Sequence, residues 1–161
     1  MAISHEDLRH VMRSWTSGVT VVAARYEDQL QGMTVSSFTS ISLDPPRVIV
    51  SLERSTRTCE SAVQSGHFGV TILSSDQDEI SDRFAGRMPE MDNKRFEGLA
   101  VETMKSGSPF IVGGIAYLDC RIVDTHDIGA NTLLIGEVIA ACTTEEDKPL
   151  VYFNQDYRSL K

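Results

Sequence analysis

The spacing of hydrophobic residues changes from a helical to a strand pattern near Gly18. Before that point, apolar residues recur every three or four positions, as on one face of an α helix. They are Leu8, Val11, Met12 and Trp15. Ser4 and Asp7 have the spacing of a capping box just ahead of this series. We therefore expect an amphipathic helix that starts after Ser4 and ends near Gly18.

After Gly18 the chain consists mainly of short β-branched and hydroxyl-rich runs separated by Gly, Asp and Pro, a pattern typical of strands. These runs cover residues 19–24, 33–40, 47–52, 67–73, 115–123, 132–143 and 150–153, and the sequence IGAN forms a turn between the two longest. A short helix over residues 55–65 should end at Gly66. A second should run from Ser75, with Asp78 in its cap, to Phe84.

We expect a mainly β fold, one antiparallel barrel with a few peripheral α-helices. Many short strands leave unpaired edges, and closing the sheet into a barrel or pairing the strands protects those edges. Residues 85–98 have no clear period and are expected to form a loop, with a mobile lid as one option. A chain of 161 residues without a linker or repeat is expected to be a single domain over residues 1–161.

Composition and motifs exclude several classes of function. A net charge of −8 argues against a nucleic-acid surface. No apolar run approaches the roughly 20 residues of a membrane span, and a polar N-terminus is unlike a signal peptide, so we expect a cytoplasmic protein. Three scattered cysteines suggest neither a disulfide framework nor a metal site. GxGxxG, GxxxxGK[ST], HExxH and GxSxG are all absent, so no Rossmann fold, P-loop, zinc protease or hydrolase is indicated.

Residues 32–58 contain the groups that a phosphorylated cofactor such as a flavin requires. Backbone groups along a strand could face the polar edge of the ring, and the strand offers Thr34, Val35, Ser36 and Ser37. Hydroxyls and a guanidinium at the start of a helix could bind the phosphate, and here they are Ser55, Arg57 and Thr58. The alternative interpretation is a hydroxyl-rich edge strand followed by an ordinary helix cap.

Several motifs in order resemble the short-chain flavin reductase family, from about Leu8 to Tyr157. They are GVTVVAA, GMTVSSFTSISLDPP, VSL, SGHFGVTIL, DRFAG and IGEV. The resemblance implies a flavin reductase-like, FMN-binding split β-barrel of Greek-key type. It also implies that cofactor contacts come from Met33, Thr34, Val35, Ser36, Ser37, Ser51, Leu52, Ser55, Arg57, Thr58, Arg83 and Phe84. Arg83 could instead pair with Asp82 or Glu79 on a helix surface, and Phe84 could be a core residue.

The residues that correspond to the family's nicotinamide site differ from the family pattern. Relatives commonly carry an Asp-His pair in the turn before the last long strand, whereas this chain has Gly129, Ala130 and Asn131. Asn131 can form hydrogen bonds but cannot become cationic near neutral pH. Tyr157, in an aromatic C-terminal region, is the other candidate for a nicotinamide contact.

The resemblance implies an NAD(P)H:flavin oxidoreductase, a homodimer that passes a hydride from NADH or NADPH to FMN or FAD. Reduced flavin then goes to a separate monooxygenase or another acceptor. No catalytic acid or base is expected, because the two cofactors supply the chemistry. Two alternatives stay open: an oxidase of the same barrel class with tightly bound FMN, and a non-catalytic flavin-binding or electron-transfer protein.

Overall fold

The computed structural model of the protein describes residues 2–161. Its helices are α1 (His5–Met12), α2 (Arg57–Ser65), α3 (Asp78–Phe84) and a short 3₁₀ turn (Pro89–Met91). Its strands are β1 (Ser17–Gly18), β2 (Thr20–Tyr26), β3 (Gln29–Val35), β4 (Phe38–Leu43), β5 (Pro46–Glu53), β6 (His67–Ile72), β7 (Val101–Glu102), β8 (Phe110–Ile111), β9 (Ala116–Ile128), β10 (Asn131–Thr143), β11 (Val151–Phe153) and β12 (Asp156–Arg158).

A seven-stranded antiparallel sheet dominates the molecule, in the order β3-β2-β6-β9-β10-β5-β4. The two edge strands, β3 and β4, are consecutive in the chain and are joined by only Ser36 and Ser37. The sheet must therefore curl until its edges approach each other. Within residues 2–161, β3 and β4 form no ladder with one another, so the barrel stays split. The prediction of a mainly β, flavin reductase-like split barrel is confirmed.

Strand β2 is buried on both faces, which explains why its apolar run does not alternate with polar residues. Val22 and Ala24 belong to the core inside the curled sheet, together with Phe68 of β6. Val21 and Ala23 point the other way, into a second hydrophobic cluster outside the barrel. The outer cluster is completed by Leu73, Phe84, Ile111 and Leu150. Strand β2 therefore contributes side chains to both hydrophobic cores.

Helix α2 packs against the barrel and closes part of its interior. Cys59 and Ala62 are buried in the inner core. The Thr56 side chain caps the helix by accepting a hydrogen bond from the Cys59 backbone N–H, and Gly66 ends it in the left-handed conformation. The predicted stop at Gly66 is confirmed, but the helix begins at Arg57, two residues later than expected.

The capping box at Ser4 and Asp7 is confirmed, although α1 ends at Met12, earlier than Gly18. None of its residues is buried. The apolar residues that follow one face of α1 and the adjoining turn are all more than half exposed: Leu8 53%, Val11 60%, Met12 51% and Trp15 70%. No helix within residues 2–161 has the length and hydropathy needed to cross a membrane.

Two expectations about local structure were wrong. The run over residues 33–40 is not one strand, because the chain leaves β3 after Val35 and enters β4 at Phe38 on the opposite edge of the sheet. Helix α3 is capped by Gln77 without a side-chain hydrogen bond, so the predicted cap at Ser75 is absent. The predicted strand over residues 150–153 is present as β11, and the tail that follows adds β12, which pairs with it in a hairpin. Its two turn residues, Asn154 and Gln155, have positive φ but include no glycine to signal the turn.

Gly136 of β10 is required by close packing, and this gives a prediction for stability. A Cβ atom at residue 136 would lie 2.6 Å from the Phe68 ring and 2.9 Å from the Cys120 side chain. We expect Gly136→Ala to lower the free energy of unfolding by about 1–3 kcal/mol through overpacking. Urea denaturation followed by circular dichroism measures the change. Gly18→Ala is the control, since no neighbouring atom lies within 4 Å of the place that its new methyl group would take; equal losses from both variants would contradict the packing argument.

Candidate functional site

A partly open cleft of about 550 Å³ lies along the free edge of β3 and is the larger of two neighbouring cavities. This main cleft has a volume within the range typical of small-molecule sites. Its walls come from β3, the segment leading into α2, the end of α3, the following loop and the β11–β12 hairpin. Segments far apart in sequence therefore meet around one cavity.

The start of α2 provides a cationic and hydroxyl-rich end of the main cleft. Ser55, Thr56, Arg57 and Thr58 all line it. The Arg57 Nη2 atom donates to Oδ1 of Asn93 at 3.0 Å and lies 3.3 Å from the Asp92 carbonyl oxygen. No carboxylate within residues 2–161 forms an ion pair with Arg57. A free guanidinium beside the first N–H groups of a helix suits a bound anion.

Strand β3 forms the floor of the main cleft through Met33 and Thr34. The Thr34 hydroxyl donates to the Ser81 carbonyl at 2.6 Å, which ties this strand to α3. The Met33 sulfur lies 3.7 Å from the Thr56 hydroxyl, which ties the same strand to the cap of α2. Ser36, just beyond the strand, also lines the cleft. The floor is thus held at both sides by hydrogen-bonding groups.

A hydrogen-bonded group of aromatic and charged side chains forms the opposite end of the main cleft. The Tyr157 hydroxyl donates to Asp82 Oδ1 at 2.6 Å and lies 2.8 Å from the Ser81 hydroxyl. Arg87 forms an ion pair with Asp82 at 2.8 Å, and its guanidinium carbon lies 5.9 Å from the centre of the Tyr152 ring. Both tyrosines therefore have fixed orientations at this end.

The structure brings many of the expected site residues to this one cleft. They are Met33, Thr34, Ser36, Ser55, Arg57, Thr58, Phe84 and Tyr157. Phe84 is also fully buried in the outer cluster, so it is both core and cleft wall.

A second set of expected residues lies elsewhere. Val35 and Leu52 are buried in the inner core. Ser37, Ser51 and Asn131 form a separate group: the Ser37 hydroxyl donates to the Ser51 carbonyl at 2.9 Å, and the Asn131 amide donates to the Ser51 hydroxyl at 3.0 Å. None of these five residues lines the main cleft.

Arg83 also lies outside the main cleft and does not pair with Asp82 or Glu79. Its guanidinium donates instead to the backbone carbonyls of Lys94 and Glu97 in the loop after α3. Arg83 therefore fastens that loop to the helix.

Sequence reasoning missed two cleft arginines, Arg87 and Arg95, both in the loop over residues 85–98. Arg95 donates to the carbonyls of Gly32 and Phe84 at 3.0 and 3.1 Å and pairs with Asp92 at 3.2 Å. These bonds pack the loop against β3, so they argue against a freely moving lid. The sequence offered little signal for them, because residues 85–98 contain as many acidic as basic residues.

Gly32 allows this close packing of the loop. A Cβ atom at residue 32 would lie 2.9 Å from the Phe84 ring and 3.0 Å from the Phe96 ring. These two rings meet edge to face with their centres 4.9 Å apart. The absent side chain at residue 32 lets both rings reach the strand.

Titration of the tyrosine end gives a prediction for pH dependence. Burial, and then the hydrogen bond to Asp82, raise the pKa of Tyr157 from 10 to about 12. The folded protein therefore holds this proton more tightly than the unfolded chain, so the associated stability is complete below pH 10 and is lost between about pH 10 and 12. We expect Tyr157→Phe to lose less stability over that interval and to lack one late step in tyrosinate absorbance.

The control for this titration is Tyr26→Phe, which removes the hydroxyl of a tyrosine that lines neither cavity and should keep the late step of Tyr157. Burial also raises the pKa of Tyr117, so late titration should be reduced in Tyr157→Phe rather than abolished. An unchanged titration curve in Tyr157→Phe would refute the assignment.

Comparison with known proteins identifies the family. The model of the flavin reductase like domain matches residues 12–161. FMN reductase (NADH) SmoA of Agrobacterium fabrum is 38% identical over 89% of this chain and 79% of its own. The reductase component of 4-hydroxyphenylacetate 3-monooxygenase of Thermus thermophilus is 34% identical over 96% of each chain. The solved structure of Streptomyces globisporus NADH:FAD oxidoreductase SgcE6 superposes with a TM-score of 0.88 at 28% identity, covering 100% of this chain and 98% of that one. The chain belongs to the family of the flavin reductase like domain.

Proposed function

We propose that this protein is an NAD(P)H-dependent flavin reductase that reduces FMN or FAD and releases the product. The observation that carries the proposal is the unpaired Arg57 at the start of α2, placed at one end of a cleft that also has an apolar wall and an aromatic end. A flavin phosphate needs such a cation, and its ring needs such a wall. Membership of the family supports the same activity.

The residues around the main cleft suit the parts of a flavin. Ser55, Thr56, Arg57 and Thr58 would hold the phosphate through hydroxyl, guanidinium and backbone N–H groups. Met33, Thr34 and Ser36 would face the ring and the ribityl chain from the β3 side, and the buried Phe84 would support that wall of the cleft from within the outer cluster. These roles fit the residues present, because one cavity contains both a guanidinium with neighbouring hydroxyls and a partly apolar wall.

The remaining expected residues would act around this cavity. Val35 and Leu52 would fix the strands from the core side, and Arg83 would fix the loop. Ser37, Ser51 and Asn131 would contact a ligand only beyond the main cleft, as a hydrogen-bonded group. Tyr157 is the better placed of the two proposed nicotinamide contacts, because it lines the cleft and Asn131 does not.

When both cofactors are bound, the nicotinamide supplies a hydride to the flavin, and the protein needs no acid or base for that step. The contributions of this chain are binding and orientation. Thr34 and Tyr157 are held by hydrogen bonds to Ser81 and Asp82, so they present fixed surfaces to a ligand. The cleft is open on one side, which suits a flavin that enters and leaves as a substrate.

Reduced flavin would pass to a separate monooxygenase. The Thermus thermophilus relative is named as the reductase component of such a system. A cytoplasmic location belongs to the same proposal, since the activity depends on a supply of NADH or NADPH.

A homodimer completes the proposal, and the exposed apolar face of α1 supports it. Leu8, Val11 and Met12 lie on one face of α1 and Trp15 lies just beyond its end; all four are more than half exposed and belong to neither hydrophobic cluster of the protomer. Contiguous apolar patches of this kind mark interaction sites. A second copy of the chain would remove them from water.

A turnover assay tests the proposed activity. NADH or NADPH is mixed with FMN or FAD and catalytic amounts of protein, and nicotinamide oxidation is followed by absorbance. We expect turnover with at least one pair, and the flavin should be lost on dialysis. Absence of turnover with all four pairs would refute the proposal: tight retention of FMN would then favour an oxidase, and reversible binding of flavin without reduction would favour a flavin carrier.

The flavin affinity of Arg57→Ala tests the proposed phosphate site. Loss of a charge-assisted contact to phosphate should weaken flavin binding by about 1.5–3 kcal/mol, or roughly tenfold or more. Arg121→Ala is the control, because Arg121 is an exposed arginine paired with Glu137 and lines neither cavity. Equal flavin affinity of the two variants would remove Arg57 from the phosphate site.

The chain's single tryptophan, Trp15, reports on the proposed dimer. Light scattering should give twice the 17.8 kDa of one protomer, and Trp15 emission should shift to the red on dilution as the interface opens. Leu8→Glu should give a monomer. His10→Glu, on the opposite face of α1, should remain a dimer; a monomeric wild type, or dissociation caused equally by both variants, would contradict the proposal.

A further inference from the structure

The charged side chains that line the main cleft are not all paired with one another. They are Glu53, Arg57, Arg87, Asp92 and Arg95. Arg87 and Arg95 each form an ion pair with a carboxylate, at 2.8 and 3.2 Å. Glu53 and Arg57 form no ion pair within residues 2–161. The cleft therefore contains one unpaired cation and one unpaired anion.

Glu53 lies at the same end of the main cleft as Arg57, just before the segment that leads into α2. Its carboxylate accepts a hydrogen bond from the Ser55 hydroxyl at 3.4 Å. The Thr56 hydroxyl and backbone N–H both donate to the Glu53 carbonyl, at 2.7 and 3.1 Å. The backbone of Glu53 is thus fixed beside the start of α2, and its carboxylate contacts a side chain of the proposed phosphate site.

Arg57 is held apart from this carboxylate by its contacts with the loop after α3. Its Nη2 atom donates to Asn93 Oδ1 at 3.0 Å and lies 3.3 Å from the Asp92 carbonyl oxygen. The charges of Arg57 and Glu53 therefore do not neutralise each other directly. A phosphate at the start of α2 would be attracted by Arg57 and repelled by Glu53 at the same time.

The charge of a flavin phosphate makes this arrangement costly for tight binding. A phosphate monoester carries about 1.5 to 2 negative charges near pH 7. The two unpaired charges of the cleft, Arg57 and Glu53, sum to zero and do not balance it. The Ser55 hydroxyl already donates its hydrogen to Glu53, so it must leave that carboxylate before it can donate to phosphate.

We propose that Glu53 limits the affinity of the main cleft for the flavin phosphate, so that flavin exchanges as a substrate instead of being retained. The inference rests on the proposed function for the identity of the ligand. Arg57 supplies enough attraction to place the phosphate, and Glu53 keeps the complex from becoming long-lived. Glu53 is thus a determinant of affinity and release rather than a catalytic residue.

Equilibrium titrations of Glu53→Gln with FMN, FAD and riboflavin, followed by flavin fluorescence, test the inference without any turnover. The substitution keeps the size of the side chain and removes its charge. FMN and FAD should bind about twofold to fivefold more tightly than to wild type, the effect of one exposed charge. Riboflavin, which has no phosphate, should bind equally to both proteins. The gain should disappear in about 1 M salt, where the Debye length is about 3 Å.

Release kinetics and two further variants complete the test. In stopped-flow displacement, FMN should leave Glu53→Gln more slowly by the same factor, since affinity differences of this kind lie mainly in the dissociation rate. Glu53→Asp keeps the charge and should bind FMN like wild type. Glu145→Gln is the control for net charge, because Glu145 is an exposed glutamate that lines neither cavity; it should leave all three affinities unchanged.

Three outcomes would overturn the inference. They are unchanged affinity of Glu53→Gln for FMN and FAD, an equal gain for riboflavin, and a gain that persists in high salt. Weaker binding of all three flavins would also overturn it, and would assign the carboxylate to a ribityl hydroxyl, which all three flavins carry.

These results are separable from the proposed function. If Arg57→Ala weakens FMN and leaves riboflavin unchanged while Glu53→Gln alters neither, the phosphate site stands and only the role of Glu53 is lost. If neither variant distinguishes FMN from riboflavin, the phosphate does not bind at this end of the cleft and both assignments fail.

Discussion

The architecture depends on the two-residue connection between the edge strands of the large sheet. Because β3 and β4 lie at opposite edges and only Ser36 and Ser37 join them, the sheet has to curl around an interior. Curling makes an inner core and leaves the outer face of β2 free for a second cluster. The main cleft lies on that second cluster, so the position of the site follows from the closure of the sheet.

The main cleft carries basic side chains although the protein as a whole is acidic. A protein with a net charge of −8 repels a phosphorylated ligand at long range, and screening limits that repulsion to about a Debye length. Arg57, Arg87 and Arg95 concentrate positive charge where the ligand would bind. Two of them are partly neutralised by Asp82 and Asp92, which leaves Arg57 as the cation with free capacity. Local arrangement, rather than total charge, decides which ligand the surface accepts.

Elements with local chemical signals could be predicted from the sequence, and those set by tertiary contacts could not. The capping box at Ser4 and the stop at Gly66 are visible in short stretches, and both are present. The break at Ser36 and Ser37 carries no Gly or Pro, so a continuous strand was the natural but wrong interpretation. Arg95 reaches the cleft only because its loop packs on Gly32, a contact between residues 63 positions apart that no periodicity encodes.

Gly32 couples the shapes of the two cavities, because a wall of each cavity packs against it. Phe84 lines the main cleft and Phe96 lines the smaller neighbouring cavity, and both rings lie against Gly32, where there is no side chain. Any larger residue there would displace both walls together. A substitution at residue 32 therefore alters the shape of both cavities at once, and neither can be widened or narrowed alone at this strand.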